Sequence, residues 1–169
     1  MNNPATKVIL IGNPNVGKSA LFNQLTKRYV SVSNYPGTTV SISRGEFKTE
    51  GRLYEVMDTP GLYSLLPMTE DERVARRVLL EHPNAVIVHV VDAKNLDRML
   101  ALTFQLKEAA YQHLILVLNM MDEAHRDGFK IDCQKLELAL ACPVIETISI
   151  SGQGISNLKE KIYEITSVH

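Results

Sequence analysis

The sequence is short of cysteine, of net charge and of long apolar runs, and each shortage excludes a class of protein. Eighteen Lys and Arg residues stand against nineteen Asp and Glu, so the formal net charge is −1 and nucleic-acid binding has no electrostatic support. The basic run RVARR, residues 73–77, is expected to be a solvated helix face. Cys133 and Cys142 are too few for a disulfide scaffold and are expected to be free, buried thiols.

We expect no signal peptide, and no apolar run in the sequence approaches the roughly eighteen residues that a membrane span requires. The five histidines are scattered, and no pair has metal-ligand spacing with a Cys or carboxylate partner. With 169 residues, 45% of them hydrophobic and 22% charged, the composition is that of an ordinary globular protein. We therefore expect residues 1–169 to form a single soluble domain in a reducing compartment.

Short apolar runs bounded by turn residues alternate with segments of helical periodicity, which predicts a three-layer α/β fold. The fold is expected to have a six-stranded, mostly parallel sheet, with one antiparallel strand where a hairpin interrupts the alternation. Residues 27–39 are polar and turn-rich and are expected to form a loop. The predicted strands are 7–11, 40–48, 53–58, 84–92, 113–119 and 143–151, and the predicted helices are 18–26, 70–80, 95–109, 132–142 and 156–166.

The segment GNPNVGKS, residues 12–19, has the phosphate-binding pattern G-x-x-x-x-G-K-[ST] between a predicted strand and a predicted helix. Such a P-loop curls backbone N–H groups around the β-phosphate, and the following helix aims its positive end at the same charge. Gly17 allows the backbone to approach the phosphates closely, Lys18 would bridge the β- and γ-phosphates, and the Ser19 hydroxyl would bind Mg²⁺. The predicted phosphate-binding residues are Gly12, Asn13, Pro14, Asn15, Val16, Gly17, Lys18, Ser19 and Ala20.

The segment NMMD, residues 119–122, follows the fifth predicted strand and indicates which base the site binds. The Asp122 carboxylate can accept hydrogen bonds from the ring N–H and the exocyclic amino group of guanine, a donor pair that adenine lacks. Asn119 is expected to brace the P-loop and the N7 edge of the base, and the loop SIS can offer a backbone N–H to guanine O6. The predicted base-binding residues are Asn119, Met120, Met121, Asp122, Ser149, Ile150 and Ser151.

Two further loops predict a switch that senses the γ-phosphate of GTP. Asp58, in the segment DTPG, would hold Mg²⁺ through a water, and the Gly61 N–H would contact the γ-phosphate. Thr39 would close over Mg²⁺ with its hydroxyl when triphosphate is bound, and Thr38 is the neighbouring alternative. The predicted residues are Gly37, Thr38 and Thr39 in the first switch, and Asp58, Thr59, Pro60 and Gly61 in the second switch.

Leu62 occupies the position where many nucleotide hydrolases carry a glutamine that holds the attacking water. Leucine has no group that orients water, so we expect slow hydrolysis helped from elsewhere, and little effect of Leu62→Gln unless the loop aims residue 62 at the γ-phosphate. The candidates for the water-positioning group are Ser64, the acidic run Glu70 to Glu72, and backbone groups of the first switch.

Together, these motifs resemble the N-terminal G domain of the ferrous iron transport protein B family. The resemblance spans residues 6–165, and its most specific part is the segment DAKNLDRMLALTFQL. It implies a GTPase domain on the cytoplasmic face of a bacterial inner membrane, regulating ferrous iron uptake. Its partners would be GTP or GDP and the helical and membrane domains of its own parent protein, neither of which is in this chain. A homo-oligomer is a further expected partner, and no nucleic acid is expected.

The resemblance further implies that Asn15 binds K⁺, assisted by backbone carbonyls of the first switch, and that K⁺ speeds a slow reaction. The expected catalytic residues are then Asn15, Lys18, Thr39 and Gly61. Where the family often has Gly-Asn-Trp in the first switch, this chain has Ser33-Asn34-Tyr35, which weakens the expectation of potassium dependence. Two alternatives remain open: a stand-alone GTPase of ribosome assembly, and a guanine-nucleotide-binding module with negligible hydrolysis.

Overall fold

The computed structural model describes residues 5–26 and 28–167, in which a β-sheet lies between two layers of helices. The strands are β1 (Thr6–Ile11), β2 (Arg28–Asn34), β3 (Ser41–Thr49), β4 (Arg52–Asp58), β5 (Val86–Asp92), β6 (His113–Asn119) and β7 (Val144–Glu146). The helices are α1 (Lys18–Thr26), α2 (Glu70–Glu81), α3 (Leu96–Glu108), α4 (Met121–Arg126), α5 (Cys133–Leu140) and α6 (Ile155–Ser167), and a 3₁₀ turn (Ala93–Asn95) precedes α3.

The strand order is β2-β3-β4-β1-β5-β6-β7, and β3 runs antiparallel to both of its neighbours while the remaining pairs are parallel. The predicted α/β class and the single antiparallel strand are thus confirmed. The predicted count of six strands is wrong, because β2 occupies most of the segment expected to be a loop, 27–39, of which Lys27 lies outside the described residues. β2 is an edge strand with Val30 and Val32 exposed, so it carries no buried apolar signal.

The apolar strands β1, β5 and β6 are buried on both faces, as their continuous hydrophobic sequences predict. One face packs against α2 and α3 in a core that includes Ile11, Leu62 and Val78. The other packs against α1 and α6 in a core that includes Phe22 and Ile162. Because β1 is central, the loop that leaves its carboxyl end at Gly12 lies in the middle of the upper edge of the sheet.

Smaller differences from the sequence predictions have local causes. The helix α4 was not predicted, since six residues are too few to show a helical period. The last strand ends at Glu146, before the predicted 151, because Thr147 and Ser149 turn away to bind Asn119. Helix α5 ends at Leu140, so Cys142 lies beyond it.

Both cysteines are free, as predicted, but only Cys142 is buried, while Cys133 is half-buried. The Cys133 thiol donates a hydrogen bond to Glu146 Oε1 at 2.9 Å. Burial, together with this bond to a carboxylate, raises the pKa of Cys133 to about 12. No helix within 5–26 and 28–167 is long and apolar enough to cross a membrane.

Candidate nucleotide site

The P-loop connects β1 to α1 in a conformation that depends on two glycines. Gly12 has φ +150°, and a Cβ there would lie 2.2 Å from the carbonyl oxygen of Val90. Gly17 has φ +88°, and a Cβ there would lie 2.2 Å from Nδ2 of Asn119. Between them Asn15 takes a left-handed conformation, with φ +62°, which asparagine tolerates better than most residues. The loop therefore fits tightly against β5 and β6 and turns its backbone at the start of α1.

Lys18 folds back over this loop. Its Nζ donates hydrogen bonds to the carbonyl oxygens of Gly12 and Asn13, both at 3.2 Å. Burial lowers the pKa of the Lys18 ammonium, and the nearby Asp58 carboxylate opposes that shift. An ammonium held this way adds a fixed cation to a loop of backbone N–H groups, which is the chemistry that a polyphosphate needs.

Ser19 and Asp58 meet across the site, with the Ser19 hydroxyl donating to Asp58 Oδ2 at 2.7 Å. Burial raises the pKa of Asp58, while the Ser19 bond and Lys18 lower it. The second carboxylate oxygen, Oδ1, is buried without a hydrogen-bond partner in the described part of the chain. A hydroxyl and a carboxylate with one free oxygen are ligands of the kind that Mg²⁺ prefers, so these residues fit the metal.

Thr39 joins Ser19 and Asp58 at an open cleft of about 460 Å³. Thr38 does not line it, because its hydroxyl is used inside the loop: it donates to the Tyr35 carbonyl at 2.9 Å and accepts from the Val40 N–H at 3.2 Å. Of the two threonines that the sequence left open, the structure brings Thr39 to the cleft.

In the predicted second switch, residues 58–61, the Thr59 hydroxyl donates to the Leu10 carbonyl at 2.8 Å. Pro60 lines the cleft, and Gly61 lies against Pro14 of the P-loop. The Leu62 N–H donates to the Gly12 carbonyl at 2.9 Å, and the Leu62 side chain is fully buried in the core. Leu62 is therefore a packing residue, which the sequence pattern did not reveal.

Two of the candidate water-positioning groups are engaged in holding the loop. The Ser64 hydroxyl accepts from the Leu66 N–H at 2.9 Å. Glu72 caps α2 by accepting from the N–H groups of Met68 and Thr69 at 2.8 and 3.1 Å, and those bonds lower the pKa of Glu72. In the acidic run, it is Asp71 that lines the cleft beside Thr39.

Asn119 joins the base loop to the P-loop. Its Nδ2 donates to the Val16 carbonyl at 2.9 Å, and its Oδ1 accepts from the hydroxyls of Thr147 and Ser149 and from the Ser149 N–H at 2.8–3.0 Å. The Val16 carbonyl and the three donors on Thr147 and Ser149 form these bonds in the protein interior. The structure thus brings together the NMMD and SIS segments, which are thirty residues apart at Asn119 and Ser149.

The other predicted base-site residues border this junction. Met120 adopts a left-handed conformation, φ +60°, and directly precedes α4, whose first turn carries the exposed Asp122. The Met121 N–H donates to the Thr147 carbonyl at 3.3 Å. Ile150 is exposed at the tip of the SIS loop, and the Ser151 hydroxyl closes that loop by donating to the Ile148 carbonyl at 3.1 Å.

Sequence reasoning missed two supporting contacts. Lys94, in the turn after β5, forms an ion pair with Glu123, directly beside Asp122. Gln105 of α3 accepts from the Leu65 N–H at 2.7 Å and ties down the second switch. The segment containing Lys94 was the most specific part of the family resemblance, but no local pattern pairs either residue with its partner.

The chain is similar over most of its length to known proteins of one family. The family model of ferrous iron transport protein B matches residues 6–162. The Fe(2+) transporter FeoB of Legionella pneumophila (strain Paris) is 40% identical over 161 residues, which are 93% of this chain and 21% of the transporter. This chain therefore spans about a fifth of the length of that relative.

Solved structures agree with this similarity. The G domain of the T. maritima FeoB iron transporter superposes with a TM-score of 0.88 at 38% identity, covering 96% of this chain and 99% of that one. The cytosolic domain of the T. maritima transporter in a GDP form gives a TM-score of 0.91 at 40% identity, covering 96% of this chain and 64% of that one. The phosphate-binding pattern of residues 12–19 thus lies on a fold shared with these G domains. The chain belongs to the ferrous iron transport protein B family.

Proposed function

We propose that this domain binds GTP and GDP and hydrolyses GTP slowly, as a switch that regulates ferrous iron uptake by a membrane protein of which it is a part. The observation that carries the proposal is the Asn119 junction, in which one side chain bonds both to Val16 of the P-loop and to Ser149 of the proposed guanine-binding loop. The match to the ferrous iron transport protein B family, and the relatives that are Fe(2+) transporters, support ferrous iron as the transported ion. They favour transport over the ribosome-assembly alternative.

In this proposal, the chain's own residues bind and orient the nucleotide. The P-loop N–H groups and the Lys18 ammonium hold the phosphates. Ser19, Thr39 and, through a water, Asp58 would hold Mg²⁺, which supplies charge neutralisation at the phosphates. Asp122 selects guanine by accepting two N–H donors, and the SIS loop contributes a backbone N–H to O6.

Hydrolysis needs a group that orients the attacking water, and the buried Leu62 side chain does not supply one. Gly61 would hold the γ-phosphate, and backbone groups of the first switch would hold the water. Asn15 would bind K⁺, which supplies the positive charge that an arginine finger gives in other GTPases. A domain built this way turns over slowly, and the helical and membrane domains of its parent protein would read its state. Self-association is a further proposal.

The experiment that tests the proposal is a change of base specificity at Asp122. Asp122→Asn should weaken GDP binding by a factor of about a hundred or more and favour xanthine nucleotides, whose altered edge suits an amide. Asp127→Asn, at the end of the same short helix, is the matched control and should leave guanine binding unchanged. Equilibrium titration with fluorescent GDP and XDP measures both. Unchanged GDP affinity in Asp122→Asn would contradict the proposed base site.

A further inference from the structure

The first-switch turn, residues 35–40, is closed by its own hydrogen bonds. The Tyr35 N–H donates to the Val40 carbonyl at 2.7 Å, and the Thr38 N–H donates to the Tyr35 carbonyl at 3.0 Å. The Thr38 hydroxyl adds two more bonds inside the turn. Thr39, the proposed Mg²⁺ ligand, lies between these bonded residues. Its position therefore depends on where the whole turn is anchored.

The anchor is Tyr35, a side chain that the proposed mechanism does not use. Its ring is 6% exposed, in the same core cluster as Val78 of α2. The phenol donates to Glu81 Oε1 near the end of α2, and the Arg77 guanidinium lies over the ring at 5.7 Å from its centre. The turn is thus attached to one helix through packing, one charge-assisted hydrogen bond and one cation–π contact.

The same helix begins next to the second switch. Asp71, in its first turn, lines the cleft that Thr39, Ser19 and Asp58 also line. Helix α2 therefore contacts the first switch at its carboxyl end and borders the metal cleft at its amino end.

We propose that Tyr35 is a positioning residue for the GTP-bound state: its hydrogen bond to Glu81 keeps the first-switch turn on α2, with Thr39 at the cleft. The proposal rests on the proposed function, since Thr39 matters only where Mg²⁺ and a γ-phosphate bind. Without the bond, the turn would sample positions in which Thr39 is away from the cleft. GTP with Mg²⁺ would then bind only the fraction of molecules in which Thr39 is at the cleft, and its apparent affinity would fall. GDP lacks the γ-phosphate, so its affinity does not depend on that selection.

The test compares affinities for GDP and for a non-hydrolysable GTP analogue with Mg²⁺, in wild type, Tyr35→Phe, Glu81→Ala and the double variant. Tyr35→Phe keeps the ring and removes only the hydroxyl. We expect it to weaken binding of the GTP analogue about three- to tenfold and to change GDP affinity less than twofold. Glu81→Ala should act the same way, and the double variant should lose no more than either single one, because both remove one interaction.

Tyr163→Phe is the matched control, since the Tyr163 ring lies on α6, packs against Arg52 of β4, and removing its hydroxyl should change neither affinity. Equal loss of GDP and GTP-analogue affinity in Tyr35→Phe would show a general structural role and overturn the inference. Unchanged affinities, or additive losses in the double variant, would overturn it as well. Failure of wild type to bind either nucleotide would instead overturn the proposed function, so the two failures are distinguishable.

Discussion

The side-chain amide of Asn119 donates to the carbonyl oxygen of Val16 at 2.9 Å, although the two residues are 103 positions apart in the chain. This bond attaches the base loop to the P-loop, and the Asn119 oxygen gathers three further donors from Thr147 and Ser149. One buried side chain therefore connects three segments of the site, which makes both stability and nucleotide binding sensitive to it.

Asn119→Ala should lower the free energy of unfolding by about 3 kcal/mol, because it leaves buried donors on Thr147 and Ser149 without an acceptor. GDP and GTP affinities should fall together, since both nucleotides use the same junction. Urea denaturation and nucleotide titration measure the two effects. Asn95→Ala, which removes one bond to Asp92, is the control and should cost only about 1 kcal/mol. Equal losses in the two variants would contradict the role given to Asn119.

Gly17→Ala should destabilise the protein by about 2–4 kcal/mol and abolish tight nucleotide binding. Its Cβ would collide with Asn119 Nδ2, and the backbone is left-handed, so strain and overpacking add. Gly128→Ala separates the two terms: its φ is +82° but no atom lies within 4 Å of the added Cβ. That control should cost only about 1 kcal/mol. Comparable denaturation midpoints for the two variants would show that the contact with Asn119 does not matter.

Leu62→Gln should lower the free energy of unfolding by about 3 kcal/mol and should not speed hydrolysis. The side chain is fully buried, so glutamine would place an unpaired amide in the core. Leu66→Gln, at a side chain that is 78% exposed in the same loop, should change stability by less than about 0.5 kcal/mol. Thermal denaturation and phosphate release measure the outcomes. Faster hydrolysis by a stable Leu62→Gln protein would show that residue 62 reaches the γ-phosphate.

Hydrolysis should be faster in KCl than in NaCl, by about tenfold or more, if a cation at Asn15 balances charge in the transition state. Asn15→Gly removes the amide without straining the left-handed backbone, φ +62°. Its rates in the two salts should be equal, while GDP affinity changes little. Phosphate release under saturating GTP is the measurement. Persistent stimulation by KCl in Asn15→Gly would assign the cation to other ligands.

Acid should destabilise the domain through His89. This ring is fully buried in β5, its Nδ1 pairs with the Thr103 hydroxyl at 3.0 Å, and burial lowers the pKa of His89 to about 3. Because the folded pKa lies below the ordinary 6.5, the unfolded chain binds more protons between these values. The contribution of His89 to the free energy of unfolding is therefore fully present above about pH 6.5 and is lost as the pH falls toward 3.

When the pH falls from 7.5 to 5.5, the free energy of unfolding should decrease by about 1.4 kcal/mol more in wild type than in His89→Gln, which has no ring to protonate. Urea denaturation at the two pH values gives the difference, and it is independent of the absolute stability of the variant. An equal pH dependence in both proteins would show that His89 does not titrate on unfolding.

Much of the architecture is readable from local sequence. β1, β5 and β6 are buried on both faces, so their apolar runs predict parallel central strands. The P-loop pattern predicts its own conformation, because Gly12 and Gly17 stand where the backbone must be left-handed and closely approached. Residue spacing also predicts which segments carry Ser19, Asp58 and Asn119, since each ends a strand or lies in the first turn of a helix.

Other features depend on which distant residues meet, and only the tertiary structure decided them. β2 is a strand because its backbone pairs with the edge of β3. Its apolar residues Val30 and Val32 are exposed, so its sequence shows no buried apolar face. Thr39 rather than Thr38 lines the cleft because Thr38 bonds within its own turn, and that turn is anchored by a Tyr35–Glu81 contact across 46 residues. Local patterns record periodicity and turn chemistry, but side-chain pairs such as these arise only when packing brings separate segments together.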